Sequence, residues 1–179
     1  MIKSAVLDEE YFVVLTPGGE VLKLAEKIQK RLSDFYNLYE EESYPQIHLT
    51  IDRIKSESRK EVIKLLDEFM KNQEITVNIE IRKYKCFHFS SERFLVLKVN
   101  HTNSLVNFSK KLHQKLIKRN YSTIDDYKNW EYHITLISNL FAENPIPDRD
   151  FKKLCYVFNG QPNVCSSKAQ TLEIWRPTL

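Results

Sequence analysis

The tetrapeptide His48-Leu49-Thr50-Ile51 recurs 85 residues downstream as His133-Ile134-Thr135-Leu136. Each copy follows an apolar or aromatic residue, Ile47 in one case and Tyr132 in the other. Polar residues alternating with aliphatic ones predict a half-buried strand in both places. Residues two apart on a strand share a face, so each copy presents a His and a Thr on one side and sends its aliphatics to a core. The surroundings of the two copies match as well. The first half reads as strand 11–15, helix 20–38, His-x-Thr strand 46–54, helix 59–72 and strand 74–81. The second reads as strand 94–99, helix 103–120, His-x-Thr strand 131–138, helix 148–158 and strand 170–175. From Val13 to His48 is 35 residues, and from Val96 to His133 is 37. The chain is therefore a diverged internal duplication, which dictates two similar halves before anything else is known.

The helices are read from apolar residues at three- and four-residue steps. Val21, Leu24, Ile28, Leu32 and Phe35 face inward in the first, and Val62, Leu65, Leu66 and Phe69 in the second. The third buries Leu105, Phe108, Leu112 and Leu116. Ser58 with Glu61 three residues on has the form of a capping box. Pro145 and Pro147 sit just ahead of the fourth helix. The expected fold is α+β: two similar lobes related by pseudo-twofold symmetry, with antiparallel sheets lining a central cleft and helices outside. Residues 1–179 form one bilobal unit, with halves 1–81 and 94–179 connected by 82–93.

Composition excludes several classes. The 179 residues carry 27 basic and 24 acidic side chains, a net charge of +3, which is too balanced to wrap a long duplex but leaves room for a local basic cleft. No apolar run approaches the roughly 20 residues of a membrane span. The N-terminal segment turns acidic at Asp8-Glu9-Glu10, too soon for a secretory signal. Cys86, Cys155 and Cys165 are odd in number and widely spaced, and read as small buried hydrophobes in a reducing compartment, so the expected location is the cytoplasm. Three glycines supply no glycine-rich phosphate cradle. No Cys-x-x-Cys or His-x-x-x-His pattern marks a metal site, and a Thr hydroxyl is a poor zinc ligand. The expectation is a protein without metal or cofactor, without membrane attachment, and monomeric.

Two histidines and two hydroxyls facing one substrate suit acid–base chemistry on a phosphate. An imidazole with an ordinary pKa of about 6.5 can accept or donate a proton near neutrality. A hydroxyl can donate to the non-bridging oxygens as charge builds. Around this centre the sequence offers further candidates. Arg82-Lys83-Tyr84-Lys85-Cys86-Phe87-His88-Phe89 interleaves cations with aromatics, a pattern for phosphate contact and base stacking, or equally for an amphipathic edge strand. Tyr44, Trp130 and Tyr132 flank the motifs as stacking candidates or as packing, and Arg93 as a phosphate contact or a solvated residue. Asp52, two beyond Thr50, reads as a solvated strand end or as a partner that orients a histidine. Arg53 points the other way on a regular strand. The bases Lys110, Lys111, Lys115, Lys118 and Arg119 read as the wet face of a helix. His88, His101 and His113 read as surface or locally bonded residues, and 40–42 as an acidic loop tip.

Paired hydrophobic-His-hydrophobic-Thr-hydrophobic motifs, one per half of a chain of this length, resemble the 2H phosphoesterase superfamily. The likeness is to its 2′-5′ RNA ligase-like (LigT-like) and cyclic-phosphodiesterase branch. It covers nearly the whole chain as element order and rests on identical residues only in the motifs. The resemblance implies a bilobal fold with a central groove, and metal-independent hydrolysis at RNA-type phosphodiesters, 2′,3′-cyclic phosphate ends or 2′-5′ linkages, with reverse 2′-5′ ligation accessible. The partners it implies are RNA ends or small nucleotide substrates. It implies catalytic roles for His48, Thr50, His133 and Thr135, and a substrate base near Phe87 or Phe89. Which histidine is acid stays open from sequence, with the resemblance leaning to His48 as acid and His133 as base. Pro45 stands three residues before His48, where many LigT-like chains place proline one or two before it; this departure bears on the substrate. Degradation of 2′-5′ oligoadenylates or cyclic oligonucleotides is a second reading, a non-catalytic RNA-binding module a third, and a metallohydrolase a fourth.

Overall fold

The computed structural model describes residues 9–40, 44–71, 74–89 and 92–176, the side chain of Phe89 excepted. The N-terminal segment 1–8, Glu41, Glu42 and Asn72 therefore lie outside the described residues. In chain order the elements are β1 (Glu10–Pro17), α1 (Gly19–Tyr36), β2 (Leu49–Lys55), α2 (Arg59–Met70), β3 (Asn78–Phe89), β4 (Glu92–Val99), α3 (Asn103–Ile117), β5 (His133–Ser138), α4 (Asp148–Phe158) and β6 (Pro162–Trp175). This is the α+β class that the pattern predicts. The strands form a closed antiparallel ring in the order β1-β2-β5-β4-β3-β6.

The ring repeats itself, with β1, β2 and β3 corresponding to β4, β5 and β6. Each of β3 and β6 is longer than its apolar stretch suggests, because each serves two neighbours. β6 pairs with β3 through 162–168 and with β1 through 169–175. β3 pairs with β6 at its start and with β4 over most of its length. The stretch 82–93 is thus largely ladder: it contains the end of β3 and the start of β4. Backbone hydrogen bonds hold the first half of β6, whose side chains are mostly exposed, so hydrophobic pattern alone does not reveal it.

The helices cover the outer face of the ring. Val21 and Ala25 of α1, Leu105, Leu112 and Leu116 of α3 and Phe151 of α4 join Leu15, Leu49, Ile51, Leu97, Ile134 and Leu136 in one buried cluster. The α1 stripe is rotated from the expected one: Phe35 is 77% exposed, and Ala25, Gln29 and Ser33 face inward instead. Ser58 forms no side-chain cap, because a 3-10 turn over Ser56–Ser58 leads into α2. The cap is found on α3, where Thr102 Oγ1 accepts from the Leu105 amide at 3.2 Å. Gly19 opens α1 at φ +52°, a value that glycine takes without strain.

The cysteine reading is corrected. Cys86 on β3 and Cys155 on α4, 69 residues apart, form a disulfide with Cα atoms 6.0 Å apart. It fastens α4 to the strand that carries Phe87. Only Cys165 is a free thiol. Sequence spacing hides the pair, since the fold and not the chain brings α4 across β3. Disulfides persist in oxidising surroundings, so the cysteines give no support to a reducing compartment. Among the described residues no helix is long and apolar enough to cross a membrane.

Candidate active site

One pair of residues closes the ring: Leu49 of β2 opposite Ile134 of β5. These are the middle residues of the two His-x-Thr motifs. Both side chains are fully buried in the outer core, so their neighbours project to the inner face. Antiparallel alignment then sets His48 across from Thr135 and Thr50 across from His133. Directly opposed side chains start about 5 Å apart and diagonal ones about 7–8 Å. The two histidines occupy one diagonal of this four-cornered site, and the two threonines the other.

Each motif strand carries a β-bulge at the same place. Against β1, Val13 pairs with Asp52 and Val14 with Thr50, which leaves Ile51 as the extra residue. Against β4, Leu95 pairs with Ile137 and Val96 with Thr135, which leaves Leu136. A bulge lets two successive side chains share a face and re-aims the residues beyond it. Val14 and Val96, fully buried yet outside the outer core cluster, lie beneath the two hydroxyls on the inner face.

The bulge corrects two expectations. Asp52 does not lie with His48 and Thr50, and it is not solvated. It is 1% exposed and turned to the helices, where Oδ2 accepts from Nδ1–H of His113 at 2.7 Å and Oδ1 from the Ser122 hydroxyl at 2.7 Å. His113 is accordingly no surface residue. Its ring stacks on Tyr127 at 3.7 Å, and the Tyr127 hydroxyl meets that of Tyr132 at 3.1 Å. Arg53, expected to point away, pairs across from Phe12 and shares its inner face. Phe12 stands 6.4 Å from the His48 ring. Arg53 is buried, contacts Glu10 Oε2 at 3.3 Å, lies over the Trp130 ring at 5.5 Å and, among the described residues, leaves Nε without a hydrogen-bond partner. A strand of regular alternation gives no sign of this fixed cation.

The two imidazoles are held alike. Nδ1–H of His48 donates to the Gln46 carbonyl at 2.8 Å, and Nδ1–H of His133 to the Glu131 carbonyl at 2.9 Å. A carbonyl only accepts, so Nδ1 keeps its proton and Nε2 is the working nitrogen in both rings. Trp175 lies edge-on to His48 and Phe87 edge-on to His133, each at 5.1 Å between centroids. Burial pushes the His48 imidazole below its ordinary 6.5, opposed by the Gln46 carbonyl. Burial does the same to His133, the Glu131 carbonyl opposes it, and the charge of His48 lowers it further. The last effect ties the two rings to one electrostatic environment. Lys85 and Lys98 flank the Glu131 carboxylate, which they hold below the usual carboxylate range against its burial.

The remaining candidates divide. Phe87 is in the groove. Tyr44 lines a cavity of about 710 Å3 beside the His48 end, and its hydroxyl donates to Asp34 at 2.6 Å. Trp130 and Tyr132 are packed away at 8% and 4% exposure, and Trp130 Nε1 donates to the Thr50 carbonyl at 3.2 Å, bracing the motif strand. Arg93 is on the helix side, paired with Asp148 of α4 at 2.6 Å. The side chain of Phe89 lies outside the described residues. Among the described residues, no three His, Cys, Asp or Glu side chains gather as a metal site.

Depressed histidine pKa values fix the sign of the pH dependence. An acid–base pair works with one ring protonated, and kcat/KM reports the free protein. As pH rises through the lowered values the acid loses its proton, so the kcat/KM maximum is expected on the acidic side of 6.5. With any anionic substrate in the groove the kcat profile is expected at higher pH, because a nearby negative charge favours imidazolium. Stability has the opposite dependence: neutral rings in the folded state cost nothing above 6.5, and protonation of the unfolded chain erodes stability as pH falls below it. Rate and melting profiles across pH 4–9 check both.

Fold and groove together define an α+β strand ring with a twofold His-x-Thr centre. No family model and no curated protein matches the chain. Among solved structures it is similar to one described as a crystal structure of a phosphoesterase, with a TM-score of 0.49 and 10% identity, over 96% of this chain and 99% of that one.

Proposed function

We propose that this chain is a metal-independent phosphodiesterase of the 2H, LigT-like type, acting on RNA-type or nucleotide phosphodiesters such as 2′,3′-cyclic phosphate ends or 2′-5′ linkages. The observation that carries the reading is the crossed arrangement of His48, Thr50, His133 and Thr135 around the Leu49–Ile134 pair, with each Nδ1–H tied to a carbonyl. In cyclic phosphate opening, Nε2 of one histidine takes a proton from water as its oxygen bonds to phosphorus. The bond to the 2′ or 3′ oxygen breaks, and the second imidazolium gives that oxygen a proton. His48 as acid and His133 as base is the assignment carried from the family resemblance. The same two groups run in reverse would support ligation. Thr50 and Thr135 hydroxyls donate to the non-bridging oxygens. The metal-independent part rests on the donor set, since threonine hydroxyls serve a phosphate far better than a metal.

The test is turnover of 2′,3′-cyclic nucleotides, 2′-5′ dinucleotides and cyclic oligonucleotides in EDTA. Thr50→Val and Thr135→Val keep shape and remove a donor, and each is expected to lower kcat about a hundredfold with a smaller change in KM. Loss of activity to EDTA with recovery on added zinc or manganese would establish a metallohydrolase in its place. RNA binding without turnover of any of these substrates would favour a non-catalytic module.

A further inference from the structure

The pseudo-twofold relation maps one end of the groove onto the other, and the side chains there differ in charge. Trp175 corresponds to Phe87, each edge-on to its histidine. Two residues earlier on the same face stand Glu173 in β6 and Lys85 in β3. At the His133 end, Lys85 and Lys98 share the single carboxylate of Glu131. At the His48 end, Glu173 accepts from the Thr171 hydroxyl at 2.6 Å through one oxygen and from Trp175 Nε1 at 2.7 Å through the other. These bonds lock carboxylate and indole into one unit, and each oxygen keeps a lone pair. The unit faces the 710 Å3 cavity, which Glu26 and Lys30 of α1, Tyr44, Gln46 and Gln170 also border. That volume lies within the roughly 300–1,000 Å3 of sites for small ligands.

We infer that the cavity beside His48 is a nucleobase subsite selective for guanine, which stacks on Trp175 and donates N1–H and N2–H to Glu173. The inference rests on the phosphodiesterase reading of the groove and names its substrate. An aromatic face accepts any base, so stacking gives affinity without choice. The carboxylate makes the choice, because it only accepts. Guanine offers two adjacent N–H donors on its Watson–Crick edge. Adenine and cytosine place a ring-nitrogen lone pair beside their amino group, and uracil flanks its one N–H with carbonyls. Those acceptors would face a carboxylate and lose their water without a partner.

The experiment has two arms. One measures kcat/KM for the four nucleoside 2′,3′-cyclic monophosphates, and the other measures calorimetric binding of the four nucleoside 5′-monophosphates. Both use the wild type and Glu173→Gln. Guanosine compounds are expected to lead in both arms by about ten- to a hundredfold, the discrimination of a good bidentate contact. Glu173→Gln is expected to bring the ratio toward one. Trp175→Ala is expected to weaken all four nucleotides alike. Equal binding of the four by the wild type overturns the inference with no variant needed, and so does a guanine preference that survives Glu173→Gln. Turnover of all four without preference leaves the phosphodiesterase reading standing and removes the subsite. Guanine-selective binding lost in Glu173→Gln, with no turnover of any ester, does the reverse.

Discussion

His48→Ala and His133→Ala are each expected to lower kcat/KM by about two to four orders of magnitude on any phosphodiester the protein cleaves. The histidines act on the two ends of one displacement, so the losses should not multiply. The double variant is expected to sit close to the worse single one, because groups that work as a unit give non-additive losses. Neither ring braces the core: both are half-buried, and among the described residues each hydrogen-bonds a carbonyl two residues away within its own segment. Melting temperatures should therefore stay near that of the wild type, which separates lost chemistry from lost structure. Full activity in both single variants would end the enzyme reading outright.

Asp52→Ala is expected to produce the largest loss of stability. Its carboxylate holds Nδ1–H of His113, the Ser122 hydroxyl and the Arg53 amide, the last at 2.8 Å, in a site that is 1% exposed. Removing the carboxylate strands three buried donors without water, each at a cost of about 1–3 kcal/mol, so a loss of at least about 3 kcal/mol is expected. In a domain of this size each kcal/mol lowers the melting temperature by about 2–4 °C, so a fall of at least roughly 6 °C is expected. Asp52→Asn keeps acceptors in place and should cost less. The network also passes through His113 and Tyr127 to Tyr132, the residue beside His133, and so joins the two motif strands on the side away from the groove. Thermal melts of Asp52→Ala, His113→Ala and the double variant measure the coupling, and a loss below about 1 kcal/mol for Asp52→Ala would remove this account.

The hydrophobic pattern locates most elements, since periodicity is a local property of the chain. It places the fourth helix at 148–158, where the helix stands. The departures have physical causes. Phe35 fits a three-and-four spacing yet faces solvent, because α1 is oriented by the surface it packs against and not by its own residues. The first half of β6 escapes the pattern because ladder hydrogen bonds, and not buried side chains, hold it. The disulfide escapes it because a separation of 69 residues says nothing about proximity.

What the chain determined by itself is the duplication, the α+β class and the placement of a His and a Thr on one face of each of two strands, all consequences of local alternation. Tertiary structure alone decided that the two motifs meet, at the Leu49–Ile134 ladder pair. It alone decided that paired bulges turn Asp52 inward to the helices and seat Arg53 between Glu10 and Trp130. It also set Glu173 beside the His48 ring and Lys85 beside the His133 ring. Strand register and pairing arise from residues far apart in sequence, so no local pattern encodes them.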